Sequence, residues 1–287
     1  MVRKRQVEDR AWLEQELEGS EFRDVQLRKR FGMLLEQFWK GMGQTIPLAC
    51  QDWANTKAAY RFMDNDRVNE QDILSGHIQA TAQRFSVTDG PILVLHDTTT
   101  FSYEREHAEL IGYAGSTITS AQRRGREKPS SQCGIVMHSS LAVTAEGLPL
   151  GLTAIKFWSR KEFKDTATRR NKVKFARIPI EQKESFRWIE NLRQSTTRFG
   201  DPDRWVHIGD RESDIFELFD AACELGTHFL VRTCTNRLAG DGRHTVADEM
   251  SEVRVKGLHR TEFRDAKGAH TRRLWRSGTG ASQSGRP

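Results

Sequence analysis

Two short apolar runs in this chain end in the same way. Pro91-Ile-Leu-Val-Leu95 leads into His96-Asp97, and Trp205-Val-His-Ile208 leads into Gly209-Asp210. A short apolar run bounded by Gly, Pro or a polar turn predicts a buried strand. Carboxylates at strand ends project into one shared site when the strands are neighbours. Hard divalent cations take oxygen ligands of this kind. Two such ions, about 3.5–4 Å apart, can activate an attacking oxygen and stabilise a leaving one in phosphodiester chemistry. Position alone leaves a second reading open, in which each aspartate caps a turn or helix, and Asp210 with Ser213 has the residue types for it.

The pattern on either side of these runs divides the chain. Helical periodicity extends over Glu8 to Gly19 and Phe22 to Gly41, with further helices expected from Asp52 to Met63 and from Asn69 to Phe85. Residues 1–80 therefore read as a small helical module. From Gly90 the character changes. Strands are expected over Pro91–Tyr103, Gly134–Thr144 and Leu148–Trp158, with Glu146-Gly147 as a hairpin turn, giving a three-stranded antiparallel meander. A helix from Pro179 to about Arg198, the strand Trp205–Ile208, a helix from Ser213 to Leu225 and the strand Phe229–Val231 follow. Meander, helix, strand, helix, strand is the order of an α/β domain of the RNase H-like kind, assigned to residues 81–237. The overall fold class is then α+β with an α/β part: a helical domain, an incomplete RNase H-like domain, and the start of a β-rich insertion over 238–271. From Ala266 onward there is no Asp or Glu, and 272–287 reads as a disordered or out-of-frame tail.

Charge narrows the class of partner. The net charge is +6 and the pI about 9.2, a balance drawn to polyanions, of which nucleic acid is the commonest. Arg28-Lys29-Arg30 lies on the second expected helix with Arg23 a turn earlier, and Arg61 follows Tyr60 near the end of the third. Tyr60 and Phe62 look buryable, while Arg61 reaches outward. Residues 123–128 and 169–174 add two more basic runs. Such cations supply mostly sequence-independent, salt-sensitive affinity. No apolar stretch reaches the eighteen residues of a membrane span, and Met1–Glu18 lacks the apolar run of a signal peptide, so a cytoplasmic location is expected. Cys50, Cys133, Cys223 and Cys234 have no zinc-site spacing and read as reduced core residues.

Three segments carry a family resemblance. His96-Asp97-Thr98-Thr99-Thr100-Phe101-Ser102-Tyr103 resembles the first aspartate motif of the IS-four-type (insertion sequence four) DDE transposases, the branch that includes the transposon-five enzyme. Gly209-Asp210-Arg211-Glu212-Ser213-Asp214-Ile215 resembles the second, and Trp53-Ala-Asn-Thr-Lys57-Ala-Ala-Tyr60-Arg61-Phe62 resembles the end of the family's N-terminal DNA-binding domain. The resemblance runs from about Phe22 to about Asp265. It implies that Asp97 and Asp210 are catalytic carboxylates binding Mg²⁺ or Mn²⁺. It further implies that Arg23, Arg28, Lys29, Arg30, Arg61, Arg232 and Arg237 contact double-stranded DNA at transposon inverted-repeat ends, with target DNA as the second substrate. The implied reaction is cut-and-paste transposition, by hydrolysis and then strand transfer, at the bacterial nucleoid. The family's third ligand is a Glu in a Tyr-Arg-Glu-Lys signature. That spacing is not found, the last tyrosine being Tyr113. The expectation is a C-terminally truncated, cleavage-deficient transposase. The alternatives are a stand-alone DNA-binding regulator that inhibits the full-length enzyme, or a complete enzyme using Glu212 or Asp214 as its third acid.

Overall fold

Local sequence sets the N-terminal helices. A computed structural model describes residues 11–103, 107, 110–117, 130–160, 178–239, 242–264 and 268–278. Helix α1 covers residues 11–18. Asp24 caps α2 (Val25–Lys40) by accepting from the Gln26 N–H, and Gly41 closes it. Helix α3 (Ile46–Cys50) carries Pro47 in its first turn. Asp52 caps α4 (Trp53–Met63), and a reciprocal cap between Asn69 and Asp72 starts α5 (Glu70–Ser86). Each such cap contributes about 1 kcal/mol. The helices close over Leu27, Phe31, Leu34, Cys50, Ala59 and Phe62. The rings of Phe22, Phe31 and Phe62 have centroids 5.2–5.9 Å apart. Where α1 crosses α5 the backbones nearly touch. A Cβ on Gly76 would sit 1.9 Å from the Glu16 carbonyl oxygen, so only glycine fits there.

The following strands form one mixed sheet. Its strands are β1 (Ile92–Tyr103), β2 (Tyr113–Thr117), β3 (Ser130–Thr144), β4 (Pro149–Trp158), β5 (Trp205–Gly209) and β6 (His228–Val231). The order is β2-β3-β1-β5-β6, with β4 also paired to β3. Strands β1, β3 and β4 form the expected antiparallel meander. Gly147, with φ of +88°, takes the left-handed position in the β3–β4 turn. Strands β5 and β6 then add in parallel to β1.

Period two decides the two faces. Ile92, Val94 and His96 are buried, on the side covered by α5 and by α6 (Phe186–Phe199). Trp205 stacks on Phe85 there at 4.6 Å beside Phe199. Helix α7 (Phe216–Leu225) packs Leu218, Ala221 and Ala222 against Trp188, Ile189 and Leu192 of α6. Burying each large side chain in these clusters contributes about 1.5–3 kcal/mol. On the opposite face Leu95 stays 38% and Leu230 62% exposed.

Contacts divide the chain at Arg232/Thr233. Within the second unit, α8 (Val246–Glu252) starts with a reciprocal Thr245–Asp248 cap. Strands β7 (Val255–Arg264) and β8 (His270–Gly278) pair as an antiparallel hairpin. Residues 272–278, read from sequence as tail, are therefore strand. Pairing with β7 satisfies their backbone groups and needs no acidic side chain. Cys50 and Cys133 are buried while Cys223 and Cys234 are exposed, so the reading of all four as core residues holds for the first two. Among the described residues no helix is long and apolar enough to cross a membrane.

Candidate carboxylate site and nucleic-acid interface

Register brings the two aspartates together. Strands β1 and β5 pair in parallel from Ile92↔Trp205 through Leu95↔Ile208. Two residues further along each chain lie Asp97, within β1, and Asp210, just past the end of β5, so continuing the register sets their backbones level. Neighbouring strands are about 4.8 Å apart. Asp97 is opposite Ser139 of β3. On the other side Gly209 pairs with Val231, and the Arg232 N–H donates to the Gly209 carbonyl at 3.2 Å. One row thus runs Ser139, Asp97, Asp210, Arg232 across four strands. Asp97, Asp210 and Arg232 are all exposed. The Glu212 N–H donates to the Asp210 carboxylate at 2.9 Å, so Asp210 caps the short turn Arg211–Ser213 while staying open to solvent. The turn-cap reading and the ligand reading are both compatible with this geometry.

Beneath the row lies a buried polar layer that the sequence reading missed. His96, His138 and His207 are 8%, 0% and 2% exposed. Asn191 donates to the Ser140 hydroxyl at 3.0 Å, and Ser140 meets His96 Nδ1 at 2.8 Å. His96 Nε2 meets His207 Nδ1 at 2.8 Å, and His207 Nε2 meets Thr196 Oγ1 at 3.1 Å. Thr196 donates its own proton to the Leu192 carbonyl, so it accepts from His207. The donors then run in one direction, from Asn191 through Ser140, His96 and His207 to Thr196, with both rings neutral. Burial pushes the pKa of His96 well below the ordinary histidine value, helped by His207 and His138. Burial pushes His207 down to about 3. Burial and then the Arg187 charge push His138 down to about 3.

A cationic side chain borders the site from α6. Arg187 donates to Thr98 Oγ1 at 3.3 Å and to the Glu184 carbonyl at 2.8 Å, and it pairs with the Glu212 carboxylate. Glu184 in turn pairs with Arg160 at 2.5 Å. Of the two alternative third acids, Glu212 is engaged by Arg187 and Asp214 is buried. Among the described residues no group of three or more His, Cys, Asp or Glu is placed to hold a metal ion.

The expected DNA contacts separate on inspection. Arg23, Arg28, Lys29 and Arg61 are exposed. Arg28 also donates to the Leu17 carbonyl at 2.8 Å, tying α2 to the end of α1. Arg30 is half-buried and reaches Asn55 at 3.4 Å. Arg237 belongs to the second unit, where its carbonyl accepts from the Val246 N–H. The basic runs 123–128 and 169–174 lie outside the described residues. Phe62 is buried as expected, but Tyr60 is 52% exposed. It belongs to a face of α4 with Trp53 (78% exposed), Lys57 and Arg61. Trp53 and Lys57 belong to the segment that carries the resemblance but were assigned no DNA contact, although their spacing with Tyr60 and Arg61 is that of one helix face.

Exposed aromatic and basic side chains on one helix, in a chain of this charge, are the features of a nucleic-acid-binding protein. Over residues 9–68 the chain matches the family described as transposase DNA-binding. That segment spans α1 through α4 and supports a transposase that binds DNA.

Proposed function

We propose that this chain is a bacterial insertion-sequence transposase of the IS-four type. Its helical module holds transposon-end duplex DNA, and Asp97 and Asp210 bind Mg²⁺ or Mn²⁺ beside it. The observation that carries the metal half is the β1–β5 register, which sets the backbones of two solvent-open aspartates level. The antiparallel meander followed by two parallel strands supports an RNase H-like domain. Both acids offer acceptor-only oxygens, which suit a hard cation that takes its remaining ligands from water and phosphate. An ion held by Asp97 and Asp210 would supply charge neutralisation and help to activate an attacking oxygen. In the complete family reaction, which uses a third acid, water would attack phosphorus and displace the 3′ oxygen of the transposon end, and that 3′-OH would then attack phosphorus of target DNA and displace a target 3′-OH, with the cations Arg232 and Arg61 meeting phosphate. With two of the three acids implied by the resemblance, these 287 residues by themselves bind ends without cutting them.

A second reading is a DNA-binding regulator that occupies the ends and blocks full-length transposase. The core that the helical segment forms around Leu27, Phe31, Leu34 and Phe62 favours it, because DNA binding then needs no intact carboxylate site.

The deciding experiment is an end-cleavage and binding assay on a labelled duplex carrying the element's inverted repeat, with Mg²⁺ or Mn²⁺ and Asp97→Ala as control. Binding without cutting is expected. Cutting that vanishes in the control means that a third ligand operates within this chain. No binding to the repeat overturns both readings.

A further inference from the structure

We infer that Arg187 is a positioning residue for the carboxylate pair, fastening the segment after Asp97 to the turn after Asp210 so that both acids face one cation. The inference rests on the metal reading above and adds the residue that holds its geometry.

Arg187 is in the first turn of α6, and its side chain is only 10% exposed. Every edge of the guanidinium is used. Nε donates to Thr98, Nη1 to the Glu184 carbonyl, and Nη2 to Glu212. Its central carbon lies 5.4 Å from the Trp158 ring centroid and 5.9 Å from that of Trp188. Aromatic packing and three directed hydrogen bonds leave the group one orientation.

The ends of this clamp are placed to matter. Thr98 follows Asp97 in β1, and its hydroxyl also meets His138 Nδ1 at 2.9 Å, locking that stretch of β1 to β3. Glu212 is two residues beyond Asp210, and its N–H is the donor that orients the Asp210 carboxylate. Cutting the clamp therefore frees the turn that aims one acid and loosens the strand that carries the other.

The sign of the effect separates positioning from simple charge. A cation close to a metal site repels the metal. If Arg187 acted only through charge, removing it would tighten metal binding. If it positions the acids, removing it weakens binding. Lysine tests the same point, since it keeps the charge but has no planar fork to reach Thr98, Glu184 and Glu212 together.

The experiment uses the full chain, comparing wild type with Arg187→Lys and Arg187→Met. Mn²⁺ binding is read by electron paramagnetic resonance. Hydrogen exchange of the Glu212 amide, read by NMR without metal, reports the turn directly. Both variants are expected to exchange Glu212 faster while amides in β1 and β5 keep their protection. Both are expected to bind Mn²⁺ roughly tenfold more weakly, the size of effect seen when outer-shell partners are lost. Unchanged Glu212 exchange, or tighter Mn²⁺ binding in Arg187→Met, overturns the inference. Should the Arg187 variants not fold, Glu212→Ala cuts the clamp at its exposed end, and the exchange of the amide at that position is read in the same way, faster exchange supporting the clamp and exchange no faster than in wild type overturning it. Wild-type protein that takes up no Mn²⁺ sensitive to Asp97→Ala overturns the metal reading, while the exchange rates still decide the clamp.

Discussion

His96 Nε2 and His207 Nδ1 lie 2.8 Å apart, a hydrogen bond that joins β1 to β5 inside the covered face of the sheet. Each ring already has a donor on one nitrogen and an acceptor on the other. An added proton would set two N–H groups against each other, in a buried layer.

A pH dependence of stability follows from this arrangement. In the unfolded chain these histidines take up a proton near pH 6.5. In the fold His138 and His207 resist until about pH 3, and His96 is lowered in the same direction. Between those limits the unfolded state binds more protons, so stability falls as pH falls. Each histidine contributes a slope of up to about 1.4 kcal/mol per pH unit. Urea unfolding is expected to lose at least ~2 kcal/mol between pH 7 and pH 5.5. A flat profile across that interval would mean that the layer is hydrated or already protonated.

Neutralising the exposed acids is expected to separate function from folding. Asp97→Asn and Asp210→Asn each replace a surface side chain and should change stability by no more than about 0.5 kcal/mol. Mn²⁺ binding should be lost in both. Retained binding in either variant would remove that residue from the ligand set.

On the helical module, exposure sorts the basic residues by role. Lys57→Ala on the open face of α4 should leave the melting temperature alone and reduce the salt dependence of DNA binding by about 0.9 in log–log slope. Trp53→Ala should weaken binding without that change in slope. Arg28→Ala removes the donor to the Leu17 carbonyl and should cost about 1 kcal/mol of stability. Thermal melts beside binding isotherms at several salt concentrations distinguish the three.

Much of this organisation was legible because its causes are local. The caps Asp24, Asp52 and Asn69 sit immediately before apolar periodic runs, and the helices begin there. The strand ends carrying Asp97 and Asp210 were readable in the same way, from apolar runs stopped by polar residues. That β1 and β5 are neighbours was not, because more than a hundred residues separate them and only the tertiary register fixes it. The histidine layer escaped because its members come from β1, β3, β5 and α6, each unremarkable in its own segment. Nothing in the sequence singles out Arg187 among the charges of its helix. Its role exists only once Thr98 and Glu212 are brought beside it.

The crossing of α1 over α5 gives a further test. Gly76→Ala forces a methyl group onto the Glu16 carbonyl. Glu16 also pairs with His77 at 2.7 Å and with Arg84 at 3.1 Å, so displacing α1 should break those contacts together. A loss of about 1–3 kcal/mol is expected, typical of overpacking, with faster proteolysis ahead of residue 20. Wild-type stability would show that α1 can shift at no cost.

The register of β1 against β5 also governs which changes in length this chain can absorb. Side chains alternate across a strand, so one residue inserted or deleted between Ile92 and Asp97 does not merely move the acid along the sheet. It turns the acid toward the histidine layer and brings a neighbour out in its place. The turn at Glu146 and Gly147, at the far end of the β3–β4 hairpin, carries no such constraint. Its length can drift while that of the stretch Ile92–Asp97 stays fixed.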